Sequence, residues 1–547
     1  MTHALHFAQP ITYYLLASVA IVAFVLLAAV PSQRVSGEAK FDVVFLLSAC
    51  AALFACRWPV FFWPDQLNVD ESTFIACAMK ARFDWVPWHG FDASTSGPLN
   101  CYVLTLPALF GAEIGYFSAR VTGLCLIAGA ICALYFAVKS IYGADVARLS
   151  ILPPVLLFSF TKHYDFVDYS SELFPIFLTT VPLAAAAYLV RGAGSKFSRL
   201  IACATAGLFL GCPVLAKLQA APLALAVLIS LVAAFFITPS PSSTARKLEV
   251  FVAAAGLVAI PSFILIILCV TGGVENAVIS YYKIALVLVR NRLSYSQSFL
   301  FFCVQEFTFF WVASLVVIVA GGAAIHSRIK LNRTFLWASL SSILLLLAAL
   351  LAILRPHQPF SHYLLFAVIP VSFCVANVLG LLHRTELGKR HAVLARSLFV
   401  ALFLLPNGYV ALTGAADFSA EARVPPREDV LAIARHVKPG DRMVVWAWRP
   451  EYYVKTKTIM ATRDAGILAL MAPSRYREYF RERFMSELRA NPPPVFVDAV
   501  APGADVFFDR ANQGIESFPL LEAFVREHYT LGEEVAGVRI FVAKNLR

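Results

Sequence analysis

The chain has 547 residues, of which 59% are hydrophobic and 14% are charged, and its mean hydropathy is +0.73. Soluble proteins carry about 25% charged residues, so this composition excludes water as the main solvent of the chain. The formal net charge of +11 lies mostly in short loops between apolar runs. Charge placed in that way is typical of membrane topology and argues against nucleic acid as a partner.

Twelve apolar runs are each close to the roughly 20 residues that a helix needs to cross a bilayer. They lie at about 11–30, 41–62, 117–138, 148–161, 172–190, 200–216, 219–238, 250–270, 299–321, 335–354, 362–382 and 393–412. The first run is not preceded by a basic segment and has no small-residue cleavage site. It therefore predicts a retained helix and not a cleaved signal peptide.

Every second connection between the runs is basic. The residues are Arg34 and Lys40; Lys139 and Arg148; Arg191, Lys196 and Arg199; Arg246 and Lys247; Arg328, Lys330 and Arg333; Arg384, Lys389 and Arg390. Because loops rich in Lys and Arg stay in the cytoplasm, these six connections are expected there. The other loops, both termini and the segment after residue 412 are then expected on the outer face.

The segment 413–547 is rich in Arg, Glu and Asp, and this composition predicts a folded water-soluble domain. The expected fold class is a polytopic α-helical membrane protein of about twelve transmembrane helices with a C-terminal extracytoplasmic α/β domain. The expected divisions are an extra N-terminal helix and loop at 1–40, a transmembrane catalytic domain at 41–412 and the soluble domain at 413–547.

An acidic pair, Asp70 and Glu71, follows the second run in the first large outer loop. Such a pair suits a general base or a metal ligand at the membrane surface. The residues Thr73 to Phe83 show helical periodicity and predict a helix lying in the interface. The alternative for Asp70 is that it caps this helix, since Asp is favoured at that position.

A second acidic site holds Asp168 and Glu172, which share a face if this segment is helical. They would orient a substrate hydroxyl or share a cation. The alternative is a solvated connector with salt bridges to Lys162.

The outer loops contain few cations, and such cations suit a phosphate group held at the level of the lipid headgroups. They are Lys217, Arg290, Arg292, Arg355, His357 and His362. The alternative for each is snorkelling to lipid headgroups.

The eleven cysteines include five inside apolar runs, where a thiol behaves as a small hydrophobe: Cys50, Cys125, Cys203, Cys269 and Cys374. None follows Cys374, so the C-terminal domain has no disulfide. Cys77 and Cys101 both fall in the first outer loop. They pair there if the loop is exported and oxidised, and otherwise stay reduced.

Five segments, in this order, resemble the GT-C superfamily of membrane glycosyltransferases, especially bacterial aminoarabinose transferases and protein O-mannosyltransferases, which use polyprenyl-phosphate sugars. They are the acidic pair, Gly97-Pro98-Leu99, the segment 169–175, the turn around Lys217 and the segment 355–366. The resemblance covers about 41–412. Strands near 442, 495–498 and 538–543 also look like the small α/β domain of some bacterial members. Departures are the extra first helix and the Ser-Gly before Pro98.

The resemblance implies sugar transfer from a polyprenyl-phosphate donor to a lipid, glycan or protein hydroxyl at the outer face of a bacterial inner membrane, by an inverting displacement. Asp70, with Glu71 beside it, matches the family's catalytic base. Asp168 or Glu172 matches its second acid. No cofactor is assigned, and the one candidate is a divalent metal on Asp70, Asp168 and Glu172, which would supply the oxygen ligands that such ions prefer. The rival hypotheses are a transporter or lipid-linked sugar flippase, and a membrane scaffold.

Overall fold

The computed structural model describes residues 10–544 apart from 35–36, 193, 239–241, 289–292, 304–307, 328–330, 414–426, 472, 503 and 505. Its α-helices are α1 Pro10–Ala29, α2 Glu38–Phe61, α3 Val69–Ala81, α4 Leu99–Val103, α5 Tyr116–Tyr142, α6 Ala144–Phe160, α7 Tyr164–Val167, α8 Leu173–Val190, α9 Lys196–Leu210, α10 Pro213–Ala216, α11 Ala221–Ile237, α12 Ser243–Thr271, α13 Val274–Ala277, α14 Ile284–Leu288, α15 Tyr295–Cys303, α16 Thr308–His326, α17 Arg333–Leu354, α18 Leu365–Leu382, α19 Glu386–Arg390, α20 Ala392–Thr413, α21 Glu428–His436, α22 Glu451–Thr456, α23 Leu468–Met471, α24 Arg477–Ala490, α25 Arg510–Gln513 and α26 Pro519–His528. The strands are β1 Arg442–Trp446, β2 Ile459–Met460, β3 Val495–Asp498, β4 Tyr529–Val535 and β5 Val538–Ala543.

Each of the twelve apolar runs contains helix in the described part of the chain, which confirms the polytopic helical fold. Ten helical segments there are long and apolar enough to cross a membrane. The first and fourth predicted runs form α1 and α6, which fall just short of that measure. The ninth run, predicted as one helix, corresponds to α15 and α16 on either side of residues 304–307, which lie outside the described residues.

The chain forms two compact units, and the first is a helical bundle of residues 1–61, 123–263 and 291–420. Its central helix is α18, since 78% of the segment Ser361–Leu382 is buried inside the protein. By contrast, only 11% of the residues in an apolar 18-residue stretch of α12 are buried, so much of this helix is available to lipid. An apolar helix is stable in either place because its backbone hydrogen bonds are satisfied internally.

Three of the predicted cytoplasmic connections meet at one end of this bundle. Asp42 in α2 pairs with Lys139 and, at 3.0 Å, with Arg148. Asp145 pairs at 3.3 Å with Arg396 at the start of α20. The basic loops around these residues therefore lie on one side of the bundle, as their alternation along the chain predicts.

The second unit comprises residues 62–122, 264–290 and 421–547. Its five-stranded sheet has the order β2-β1-β3-β5-β4. β1 is parallel to β2 and β3, whereas β5 is antiparallel to β3 and β4. This mixed sheet confirms the expected C-terminal α/β domain, and two of its strands coincide with the predicted segments 495–498 and 538–543.

The second unit joins three segments that the charge pattern assigns to the same side of the membrane. Lys80 in α3 donates a hydrogen bond of 2.9 Å to the carbonyl of Met460 in β2. The indole of Trp448 donates one of 3.2 Å to the hydroxyl of Thr73. The C-terminal domain thus packs on the first outer loop, and the divisions 1–40, 41–412 and 413–547 remain a prediction.

Arg483 in α24 connects all three segments of this unit. Its guanidinium donates to Ser280 at 2.8 Å, to Asp92 at 3.1 Å and to Asp464 at 2.6 Å. Burial, reinforced by the neighbouring Asp92, raises the pKa of Asp464 to about 6 even though Arg483 opposes the shift. The two carboxylates therefore depend on one buried cation.

Replacing Arg483 with Met is expected to destabilise the protein by about 3–5 kcal/mol, because it leaves Asp92 and Asp464 buried without their cation. Thermal unfolding of the detergent-solubilised protein measures this as a lower Tm. The control is Arg489→Met in the same helix, since Arg489 is exposed. An equal Tm for the two variants contradicts the prediction.

Candidate functional site

The first candidate cluster lies at the start of α3. Asn68 is the N-cap, because its side chain accepts a hydrogen bond of 3.0 Å from the backbone N–H of Asp70. The interpretation of Asp70 as the helix cap is therefore wrong. Asp70 occupies the first turn and is half-buried, where the positive end of the helix dipole favours a carboxylate.

The helix that follows does not have the exposed face expected of an interfacial helix. Every residue from Glu71 to Ala81 is buried within the second unit. α3 is instead enclosed by its own loop and the C-terminal domain. In the loop after α3, Trp85 is exposed, whereas Trp88 is buried against Tyr281 with 5.5 Å between ring centroids.

Glu71 forms a closed ion pair with Arg120, a residue that sequence reasoning missed. Two guanidinium nitrogens of Arg120 each lie 2.8 Å from a carboxylate oxygen of Glu71, and neither side chain is exposed. Arg120 also donates to the carbonyls of Trp63 at 2.7 Å and Asp65 at 2.6 Å. The pair holds the chain leading into Asp70, so its geometry favours a positioning role for Glu71; a catalytic role stays a prediction.

The C-terminal domain supports the same segment through α22. Lys455 pairs with Asp65 at 2.7 Å, and the neighbouring Glu451 is fully buried. Arg449 donates to Glu451 at 2.6 Å, and Arg427 lies 3.5 Å from it. Burial raises the pKa of Glu451 to about 7, with Asp65 adding to the shift and the cations Arg427 and Lys455 opposing it.

This raised pKa predicts a loss of stability between about pH 4.5 and pH 7. In that window folded Glu451 keeps a proton that the unfolded chain releases, so the free energy of unfolding falls as the pH rises. The variant Glu451→Gln should show a smaller fall. Measurement of Tm at several pH values tests this, with Glu482→Gln, at an exposed position of α24, as the control. Parallel profiles of wild type and Glu451→Gln contradict it.

The second acidic segment is folded differently from the prediction. Asp168 has extended backbone angles and α8 begins only at Leu173, so Asp168 and Glu172 do not share a helical face. Both side chains are buried, as is Asp165. The hypothesis of a solvated connector is therefore wrong.

Glu172 is the centre of a buried ionic cluster within the first unit. Its carboxylate pairs with Lys217 and accepts a hydrogen bond from Ser170, and the Lys217 ammonium also donates to Ser171 at 2.6 Å. Burial disfavours the charged carboxylate. The charge of Lys217, with that of His362 and the hydrogen bonds, outweighs burial and lowers the pKa of Glu172. Glu172 is thus held as a carboxylate.

His362 joins two acids of this cluster. Its Nδ1 lies 3.6 Å from Asp165, and its Nε2 lies 3.9 Å from Glu172. From α2, buried Arg57 donates a hydrogen bond of 2.9 Å to the carbonyl of Phe166 and faces the charge of Asp168. Arg57 is a second residue that sequence reasoning missed, because no local pattern links an arginine inside an apolar run to a site.

The remaining predicted phosphate ligands are not all brought into this cluster. Arg355 is exposed at the C-terminal end of α17. His357 has a positive φ of 55°, and its ring packs edge-on against Tyr295 at 4.3 Å. Arg290 and Arg292 lie outside the described residues.

No group of three or more His, Cys, Asp or Glu side chains is arranged to hold a metal ion among the residues that the structure describes. Glu172 has its oxygens occupied by Lys217 and Ser170. The expected metal on Asp70, Asp168 and Glu172 therefore gains no support from the donor geometry.

No family model matches the chain, and no curated protein matches it significantly in sequence. Among solved structures, ArnT from Cupriavidus metallidurans bound to undecaprenyl phosphate aligns with a TM-score of 0.57 at 14% identity, over 91% of this chain and 97% of ArnT. This chain shares the fold of ArnT. AglB, an oligosaccharyltransferase from Archaeoglobus fulgidus, aligns over 92% of this chain and 75% of its own at a TM-score of 0.46 and 12% identity.

Proposed function

We propose that the chain is a glycosyltransferase that moves a sugar from a polyprenyl-phosphate donor to a hydroxyl of a lipid, glycan or protein acceptor. The observation that carries this proposal is the alignment of nearly the whole chain with an ArnT structure bound to undecaprenyl phosphate. The buried acids and cations at the two clusters supply groups that such chemistry requires. The donated sugar is a hexose or a pentose.

The proposed reaction is a single displacement. The acceptor oxygen attacks the anomeric carbon, the bond from that carbon to the phosphate oxygen breaks, and polyprenyl phosphate leaves with the bonding electron pair. The hydroxyl proton passes to Asp70, acting as general base. Configuration at the anomeric carbon inverts, because attack and departure occur on opposite faces.

The departing phosphate gains negative charge, which nearby cations stabilise. Lys217 and His362 are the proposed ligands that the structure brings together, and Arg355, Arg290, Arg292 and His357 remain proposed ligands. Glu172 keeps the Lys217 ammonium in place, while Asp168 serves as a second acidic group toward the acceptor. Activity measurements with a chelator and with added divalent metal test whether a metal ion takes part.

The protein is proposed to lie in a bacterial inner membrane with its C-terminal domain outside the cytoplasm. This orientation follows from the positive-inside rule. It is supported by the packing of residues 62–122, 264–290 and 421–547 into one unit, as expected of segments on one side. A reporter enzyme that is active only in the periplasm, fused after residue 547, tests it. Reporter activity in the cytosol contradicts it.

The test of function is donor turnover by the purified full-length protein in lipid nanodiscs. Polyprenyl-phosphate sugars extracted from the native membrane are incubated with envelope lipids and glycans, and released polyprenyl phosphate is measured by mass spectrometry. Release that depends on the protein and on acceptor supports the proposal. Movement of intact donor across vesicle membranes without cleavage supports the flippase alternative, which the GT-C fold does not favour.

A further inference from the structure

Two cysteine side chains meet where α3 packs against α4. Cys77 in α3 and Cys101 in α4 are both fully buried where these two helices pack, and their thiols lie close enough to interact. The Cys77 thiol also lies 3.7 Å from the carbonyl oxygen of Asp92. Both are free thiols in the structure. The contact brings together residues 24 positions apart in the sequence, at the base of the loop between the two helices.

These two are the cysteines of residues 62–122, and the segment 421–547 contains none. In the second unit the remaining cysteine, Cys269, lies in the apolar helix α12. An exported loop with two adjacent thiols and no competing cysteine nearby has a single possible pairing. Oxidising compartments outside the cytoplasm favour such pairing.

We propose that Cys77 and Cys101 form a disulfide in the exported protein. Each thiol loses its proton and one S–S bond forms between them. The two electrons reduce the disulfide of an exported thiol oxidase to a dithiol. The inference rests on the outward orientation in the proposed function but not on sugar transfer itself.

The disulfide closes the loop between α3 and α4. This loop includes Trp88, which packs on Tyr281, and Asp92, which binds Arg483. The bond therefore fixes the loop at its base while the C-terminal domain fixes its middle. Because the proposed base Asp70 lies in the first turn of α3, the disulfide restrains the helix that carries that base. Closing a loop of this length raises Tm by on the order of 5–10 °C.

The chain contains its own control pair. Cys50 in α2 and Cys132 in α5 also lie close enough for their thiols to interact. Both lie within membrane-spanning helices, where a soluble or periplasmic oxidase has no access. The protein therefore has two pairs of neighbouring thiols, and only the pair of Cys77 and Cys101 is expected to be oxidised.

Differential alkylation of the full-length protein, purified without reductant, tests the proposal. Free thiols are blocked with one maleimide under denaturing conditions, disulfides are then reduced, and the released thiols take a second, isotopically distinct maleimide. We expect Cys77 and Cys101 to carry the second label, and Cys50 and Cys132 to carry the first. In a host that lacks periplasmic thiol oxidase, Cys77 and Cys101 should carry the first label as well.

The first label on Cys77 and Cys101 in an oxidase-competent host overturns the proposal. If the C-terminal reporter is active in the periplasm, this labelling result contradicts the disulfide proposal but does not affect the proposed function. If the reporter is cytosolic, both fail.

The effect of reductant on Tm provides a second, independent test. Reductant should lower the Tm of wild type and of the Cys50→Ser/Cys132→Ser protein, whereas it should not change the Tm of the Cys77→Ser/Cys101→Ser protein. Equal sensitivity of all three proteins to reductant contradicts the assignment to this pair.

Discussion

Sugar transfer by the Asp70→Asn protein is expected to be about 100- to 10,000-fold slower than by wild type, because an amide cannot accept the proton of the acceptor hydroxyl. The loss should appear in kcat, since the base acts in the chemical step. Binding of the polyprenyl-phosphate donor should change little. Initial rates over a range of donor concentrations, with a fixed acceptor extract, separate the two parameters.

The structure provides a reason to expect that this variant folds. Asn68 caps α3 through its own side chain, and the backbone N–H of Asp70 that it binds is retained in the variant. Asp70 is half-buried, and the ion pair that orders the segment is formed next to it by Glu71 and Arg120. The Tm should therefore stay within a few degrees of wild type.

The matched control is Asp84→Asn. Asp84 follows the same helix, is partly exposed and lies 3.6 Å from His89, so losing its charge should leave kcat unchanged. Full activity of the Asp70→Asn protein would show that another group is the base. A large fall in Tm with the loss of activity would instead make Asp70 a structural residue.

The second large effect is expected at Lys217, whose replacement by Met should damage stability and donor binding together. The variant leaves Glu172 buried without its cation, which costs about 3–5 kcal/mol. If Lys217 also binds the donor phosphate, affinity for undecaprenyl phosphate should fall about 10- to 100-fold, as expected for a lost hydrogen bond to a charged group.

The double variant Glu172→Gln/Lys217→Met separates these two effects. Removing both charges relieves the unpaired carboxylate, so Tm should recover toward wild type. Lipid binding should remain weak, because the phosphate ligand is still absent. Thermal unfolding and binding of undecaprenyl phosphate to the nanodisc-embedded protein measure the two properties.

The control for these variants is Lys389→Met, at an exposed lysine of the same unit that pairs with Glu386 on its own helix. It should alter neither property. If lipid affinity recovers with Tm in the double variant, Lys217 acts only by holding Glu172 in place, and the phosphate site must be sought among the other cations.

The contacts of the C-terminal domain involve the same segment of the chain that carries Asp70. It contacts the first outer loop through Lys80, Thr73 and Asp92, and two of its groups, Glu451 and Asp464, have raised pKa values because burial disfavours their charge. Its packing supports α3, which carries Asp70 in its first turn.

The amino-acid sequence by itself determined the membrane-spanning helices, since a span depends on the composition of about 20 consecutive residues. The alternation of basic loops likewise depends only on local charge. It predicted correctly which connections share an end of the bundle around Asp42. The strands at 495–498 and 538–543, which were expected together with the family resemblance, are also present.

The tertiary structure alone decided which charged side chains pair. Glu71 with Arg120 and Glu172 with Lys217 are 49 and 45 residues apart, and no local pattern links such positions. It also showed that Asn68 caps α3 and that α3 is enclosed by a domain that begins more than 300 residues later in the chain. These features depend on contacts between distant segments, and such contacts exist only once the chain has folded. In the folded chain, the free-energy cost of burying a charged side chain is offset by its partner of opposite charge.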